Sequence, residues 1–322
     1  VVATIWMSAS GTNTNSGTNA SVPKKTLYGA NNAITEAGNH GTINVLSTGT
    51  HSMTSIVSNA RVPTTFSGTN YTTNPGLIIQ GVDASGSPAV ATVASAGSKK
   101  FWFDTQGHYV LVKGVKFDYS AEAGAATTGM QAIVFSVSGN QYGAHRIQDC
   151  ECWATTNVGA GAVVTNTVSP KLLGFGTEIG AGTVYTVEVL NCVLVNSQLF
   201  GDAGNYRVFD YHSNVLIWDA DGVNSSNSML SWDAGVNGAG HKAYQNTFVQ
   251  FRRKAGAGYE DAVPCINGSG SVDTSVLSCY DNLFYLDCHT TSTAKLATHV
   301  LNGASGATAG VAAAAFGNNL IA

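Results

Sequence analysis

Two charged and three aromatic residues fall at fixed distances from a recurring asparagine. Asp210 stands four residues before Asn214 and Lys242 four before Asn246, while His212, Tyr244 and Tyr280 stand two before Asn214, Asn246 and Asn282. If those asparagines mark equivalent points of a repeating unit, Asp210 and Lys242 are neighbours. The His and Tyr side chains then form a second column that lines a groove. Opposite charges one repeat apart make either a surface ion pair or an acid–base couple. Asp202, Asp219, Asp221 and Asp233 lie nearby in the chain. Carboxylates are the hard oxygen donors that calcium takes, but no DxDxDG-type loop orders these, and solvated turn aspartates satisfy the same pattern. Arg252, Arg253 and Lys254 follow the Asn246 strand, as anion ligands or as a solvated turn. Trp218 and Trp232 border the set, and Trp6, Trp102 and Trp153 lie elsewhere. An indole face packs either on a pyranose ring or in a core.

Other chemistries have less to start from. Asp210 with Asp233, or Asp219 with Asp221, supplies the two carboxylates of glycoside hydrolysis, yet nothing selects either pair. No Gly-x-Ser-x-Gly elbow or phosphate-binding loop occurs. Of the six cysteines, Cys150 and Cys152 form a CxC, no CxxC exists, and His289 beside Cys288 fits no zinc spacing. The thiols read as small buried hydrophobes, with a 265–279 or 150–192 disulfide as the alternative.

The elements that must position these residues are strands. Only 11% of the 322 residues are charged, against about 25% in an ordinary domain. Surface helices need Lys, Glu and Arg on their outer face, and this chain supplies Gly, Ser, Thr, Asn, Ala and Val instead. A formal charge of −4 offers no basic field for nucleic acid. No run approaches a membrane span, and the chain opens on Val1 with no cationic n-region; the missing initiator Met suggests a trimmed product or an arbitrary boundary and leaves a cleaved signal open.

Short apolar strands recur behind a small polar residue at Gly114, Asp149, Asn191, Asn214, Asn246, Asn282 and Asn319. From Asn191 the intervals are 23, 32, 36 and 37 residues. That period, with strands and no intervening helix, marks a parallel β-solenoid, in which each coil is one rung. Rungs about 4.8 Å apart let an Asn at one corner adopt the left-handed conformation and bond its amide to the coils above and below. Gln245-Asn246, Asp281-Asn282 and Asn318-Asn319 leave the register open by one residue. A sandwich with tight turns at Asp221-Gly222, Asn237-Gly238, Asn267-Gly268 and Asn302-Gly303 is the competing architecture, but it accommodates uneven loop lengths less well.

The expected fold is all-β: a single right-handed parallel β-helix with a short N-terminal capping helix. Residues 1–50 hold the first strand, the helix and the first rung; residues 51–322 hold the remaining rungs as one continuous domain. Thr26 is the expected N-cap, Leu27, Ala30, Ala33, Ile34 and Ala37 the apolar face, and Gly38 the stop. A helix there seals the open end of the stack.

The N-terminal order of strand, GxxxNxGT loop, Pro, helix, strand and Thr-Gly turn resembles the first rungs of the pectate-lyase-like superfamily. Gln245-Asn246-Thr247-Phe248-Val249, Asp281-Asn282-Leu283-Phe284-Tyr285, Gly76–Gly81 and Val112–Phe117 resemble its later and early rungs. The likeness rests on structural residues and implies function only by analogy. That superfamily includes polysaccharide lyases, glycosidases and exterior proteins of bacteriophages. As a phage exterior protein (tailspike, fibre or capsid decoration), the chain is expected on the virion exterior or outside the cell. It then binds a glycan without a cofactor and assembles as a homo-oligomer, a trimer in the simplest case, with other virion proteins. Its small, uncharged residues suit a surface that packs against copies of itself. As a lyase it would carry Ca²⁺ and cleave an anionic uronate polysaccharide by β-elimination. The likeness then makes Lys242, Arg252, Asp210 and His212 the catalytic set, Tyr244, Tyr280, Trp218, Trp232 and Arg253 the sugar-binding set, and Asp202, Asp210 and Asp233 the calcium ligands.

Overall fold

A computed structural model describes residues 3–36, 41–52, 76–94, 101–104, 110–120, 131–136, 144–154, 171–175, 185–203, 207–218, 229–234, 241–252, 265–269, 277–288, 301–303 and 316–322. The chain is a parallel β-helix. Successive coils give one strand to each of three flanks. The first sheet has ten strands, running from Ala3–Met7 through Tyr185–Leu190, Arg207–His212, His241–Tyr244 and Leu277–Tyr280 to Phe316–Gly317. The second has nine, from Thr50–Ser52 through Val193–Val195, Val215–Trp218, Thr247–Arg252 and Leu283–Cys288 to Leu320–Ile321. The third flank is split into a three-stranded group ending at Lys171–Phe175 and a four-stranded group beginning at Leu199–Ala203.

The strand pleat sorts side chains between core and solvent. Val187, Phe209, Leu216, Ala243, Phe248, Cys279 and Phe284 are buried between the sheets, and Phe248 stacks on Phe284 with centroids 4.8 Å apart. Helix Leu27–Glu36 covers the first strands with Leu27, Ala30 and Ile34. The Thr26 hydroxyl caps it by accepting the Gly29 N–H at 3.0 Å. Ala37 and Gly38 lie outside the described residues.

The corner between the first and second sheets divides between two adjacent columns what sequence reading assigned to one. The outer column is left-handed: Gly114, Asp149, Asn191, Ser213, Gln245, Asp281 and Asn318 have φ between 50° and 65°. The next residue points inward. Strand register aligns Cys150, Cys192, Asn214, Asn246, Asn282 and Asn319 in that inner column. Asn191 therefore sits one residue off the buried amide ladder, in register with Ser213, and Cys192 takes the ladder position.

The amides of Asn214, Asn246 and Asn282 bond to the coils on both sides, and that of Asn319 to the coil before it. Asn246 Oδ1 accepts from the Asn214 backbone N–H (3.1 Å) and Nδ2 (3.0 Å), and Asn282 and Asn319 repeat the pattern with the coil before them. Asn214, Asn246, Asn282 and Asn319 also donate Nδ2 to the carbonyls of Val189, Tyr211, Ala243 and Cys279, at 2.9–3.1 Å. Upstream, the Cys150 and Cys192 thiols donate to the equivalent carbonyls of Val112 and Ile147 at 3.7 and 3.8 Å. The thiols thus fill the amide's place with a weaker donor. Cys150, Cys152, Cys192, Cys265 and Cys279 are buried thiols outside any disulfide, so neither proposed disulfide forms. Burial pushes the Cys152 and Cys279 thiols up to about 12.

Inside the first sheet, His241 is 4% exposed and its Nδ1 accepts the Phe209 N–H at 3.1 Å. Burial lowers its pKa from 6.5 to about 4.

Two outcomes follow from this architecture. Asn246→Ala orphans donors on Asn214 and the Tyr211 carbonyl and is expected to lower the unfolding free energy by about 3 kcal/mol. Gln245→Gly, one residue away, relieves left-handed backbone and is expected to raise it by up to about 1 kcal/mol; urea denaturation measures both. Because His241 resists protonation when folded, stability is full above the unfolded pKa of 6.5 and declines as the pH falls from there to about 4. The loss is about 3 kcal/mol. Denaturation midpoints across that range should show the slope, and His241→Gln should flatten it.

Candidate functional site

The site grows from the outward positions of the first sheet. Asp210 pairs in register with Lys242, and His212, Tyr244 and Tyr280 occupy one column. Both adjacencies expected from counting back from Asn214, Asn246 and Asn282 are present. The rings stack along the coil axis: His212 and Tyr244 have centroids 4.8 Å apart with planes 16° from parallel, and Tyr244 and Tyr280 are 5.0 Å apart at 5°. Rings stacked in this direction occupy one another's faces and leave their edges for polar contacts. The column therefore presents a line of hydrogen-bonding groups.

Among the described residues, no side chain in register covers the second face of Tyr280. The residue in register after Tyr280 is Gly317, which has no side chain, and a Cβ built there meets nothing within 4 Å.

The charges beside the stack converge on Glu188, which sequence reading missed. Its carboxylate pairs with Arg146 Nε at 2.5 Å and with His212 Nε2 at 3.1 Å. His212 Nδ1 contacts the Ser213 hydroxyl at 3.3 Å. Arg146, Glu188, Asp210 and Lys242 form one outward column. The signal was available, since Arg146 and Glu188 stand four residues before Cys150 and Cys192 just as Asp210 stands before Asn214. Lys242 is exposed, and among the described residues it forms no ion pair with Asp210. The Tyr244 phenol is pushed up to about 12, first by burial, then by the neighbouring Asp210, Tyr280 and Glu188. It stays a hydrogen-bond donor at neutral pH.

The other expected residues divide among flanks. Trp218 is 2% exposed, inward beside Leu216, so it packs the core and offers no face to a sugar. This overturns its assignment as a binding residue. Arg252 ends the Thr247–Arg252 strand of the second sheet, on a different flank from Lys242. Trp232 and Asp233 lie in the Leu230–Ala234 strand of the third flank, where Asp233 is in register with Asp202. The side chains of Arg252, Trp232, Asp233 and Asp202, and all of Arg253, Lys254, Asp219 and Asp221, lie outside the described residues. Asp210 belongs to the first sheet, so the three aspartates expected to hold calcium do not share one flank. Among the described residues no group of three or more His, Cys, Asp or Glu side chains is placed to hold a metal ion. No helix among them is long and apolar enough to cross a membrane.

No protein-family model, curated protein or solved structure matches this chain.

The pairing pattern carries an expected difference between two substitutions. Glu188→Gln weakens the hold on Arg146 and His212 together and should cost about 1 kcal/mol. Lys242→Ala should change stability by less than about 0.5 kcal/mol. Equal losses in urea denaturation would contradict this assignment of partners.

Proposed function

We propose that the protein is an exterior, glycan-binding β-helix whose ligand lies lengthwise along the first sheet. The observation that carries this reading is the outward stack of His212, Tyr244 and Tyr280 beside the Arg146–Glu188–Asp210–Lys242 column. Sugar hydroxyls need donors and acceptors at regular intervals, and stacked coils repeat theirs every 4.8 Å or so along one line. The face of Tyr280 above Gly317, which no described side chain in register covers, suits one pyranose ring packed flat at the end of that line. Mixed charge favours a glycan with both hydroxyl and carboxylate groups, which Arg146 and Lys242 would attract.

The low-charge chain and its likeness to pectate-lyase-like β-helices favour a phage exterior protein of the tailspike, fibre or decoration type. Catalysis by β-elimination is the second reading, favoured by the exposed amine of Lys242 beside Asp210 and Tyr244. A lysine there could take the proton α to a uronate carboxylate. Asp210 lies on a different flank from Asp202 and Asp233, so these three residues do not together offer the cation site by which such a carboxylate would be neutralised.

Titration calorimetry against polygalacturonate, alginate and chondroitin, with an array of bacterial surface glycans, separates the readings. Binding is expected without the ultraviolet absorbance of an unsaturated product, and Tyr280→Ala should weaken it at least about tenfold, or roughly 1.4 kcal/mol. An absorbance rise that Lys242→Ala abolishes would transfer the protein to the lyases. Absence of binding to every glycan would sink both readings.

A further inference from the structure

We propose that the outer face of the second sheet is a self-association surface on which a second copy of this chain packs side by side. Over the five coils from Val193–Val195 to Leu320–Ile321, outward positions carry Val215, Ile217, Val249, Leu283, Tyr285 and Leu320. Their direction follows from the pleat, because Leu216, Phe248 and Phe284 between them are buried. Tyr285 is 44% and Leu320 63% exposed, and the other four are half-buried within the sheet. The described outward side chains of these five coils on this sheet carry no formal charge; Lys116, Asp118 and Glu151 stand outward on the coils before them, where Glu151 is in register with Val193. The same coils carry Glu188, Asp210 and Lys242 outward on the first sheet, so the two flanks differ in kind.

Three arguments make the occupant a second copy. The uncharged outward side chains described on this face of the five coils bring no repulsion of their own between chains that each carry a net charge of −4. Its ridges repeat at the spacing of the coils, and an identical face has the identical repeat, so ridge and groove stay in step along the whole length. These five strands hold 3, 4, 6, 6 and 2 residues, and at about 3.3 Å per residue and about 4.8 Å between strands they cover roughly 330 Å² in projection. With side-chain relief, two copies bury on the order of 1,000 Å², the threshold of a specific interface. That size corresponds to a reversible, concentration-dependent dimer. The surface is separate from the aromatic stack and does not depend on the glycan reading.

Sedimentation velocity on the full chain from about 1 µM to about 100 µM covers the range in which an interface of this size assembles. The 33.2 kDa monomer is expected to convert to dimer as concentration rises. Val249→Lys should remain monomeric throughout with an unchanged circular dichroism spectrum, whereas Tyr280→Ala should still dimerise. Thr247, outward between Val215 and Leu283, gives a second readout should the lysine disturb the sheet. The thiol of Thr247→Cys should react with a maleimide in dilute solution and be protected at high concentration. A monomer at every concentration, a dimer indifferent to Val249→Lys in a folded variant, or equal thiol labelling at both concentrations would overturn the proposal.

Discussion

A stack of parallel coils must turn its backbone at every corner, and a turn facing the core leaves amide and carbonyl groups where water cannot reach them. An unpaired group of that kind costs about 1–3 kcal/mol, comparable to a large share of a domain's net stability. The inward corner column meets this constraint. Each Asn amide takes the backbone N–H of the ladder residue in the preceding coil and returns a donor to a carbonyl of that same coil, so Asn214, Asn246, Asn282 and Asn319 are joined from coil to coil. The outer corner residue has only to tolerate left-handed backbone, and Gly, Asp, Asn, Ser and Gln all serve there. Where the inner residue is Cys, as at 150 and 192, longer thiol contacts take over and the packing of buried strands carries more of the burden. A similar economy operates at Gly81, where a Cβ would run into the carbonyl oxygens of Gly114 and Ala89.

Register set at the corner propagates to both flanks. Side chains alternate along each strand and the left-handed corner residue interrupts that alternation, so behind each inward Asn the residues two and four positions earlier face outward, coil after coil. The result on the first sheet is a column of rings and a column of charges, each built from residues dispersed over more than sixty positions in sequence. On the second sheet the same register collects aliphatic and aromatic side chains into an apolar strip. A regular scaffold thus converts a linear spacing rule into two surfaces of different chemistry.

Much of this was legible in the chain itself. Asn spacing yielded the solenoid, and counting from it placed Asp210 against Lys242 and Tyr244 against Tyr280. The one-residue error at Asn191 arose because Asn191-Cys192 puts its Asn on the outer corner while Gln245-Asn246 puts its Asn on the inner one, and only hydrogen bonding distinguishes them. Glu188 and Arg146 were passed over for the same reason, since their reference residues in the ladder are cysteines. Trp218 could have been assigned to the core from parity with Asn214 and Leu216; aromatic character drew attention away from position. Whether the rings would show faces or edges was not legible, because it depends on stacking between coils, which one strand's sequence does not contain.

The claim on which the rest depends is that neighbouring corner amides act as one connected ladder. A double-mutant cycle on Asn246→Ala and Asn282→Ala, followed by urea denaturation, tests it most directly. If the ladder is real, the double variant loses at least about 1 kcal/mol less than the sum of the single losses, because each substitution already breaks the shared bond. Losses that add within about 0.3 kcal/mol would mean that the two amides act independently, and the register built on them would have no common origin.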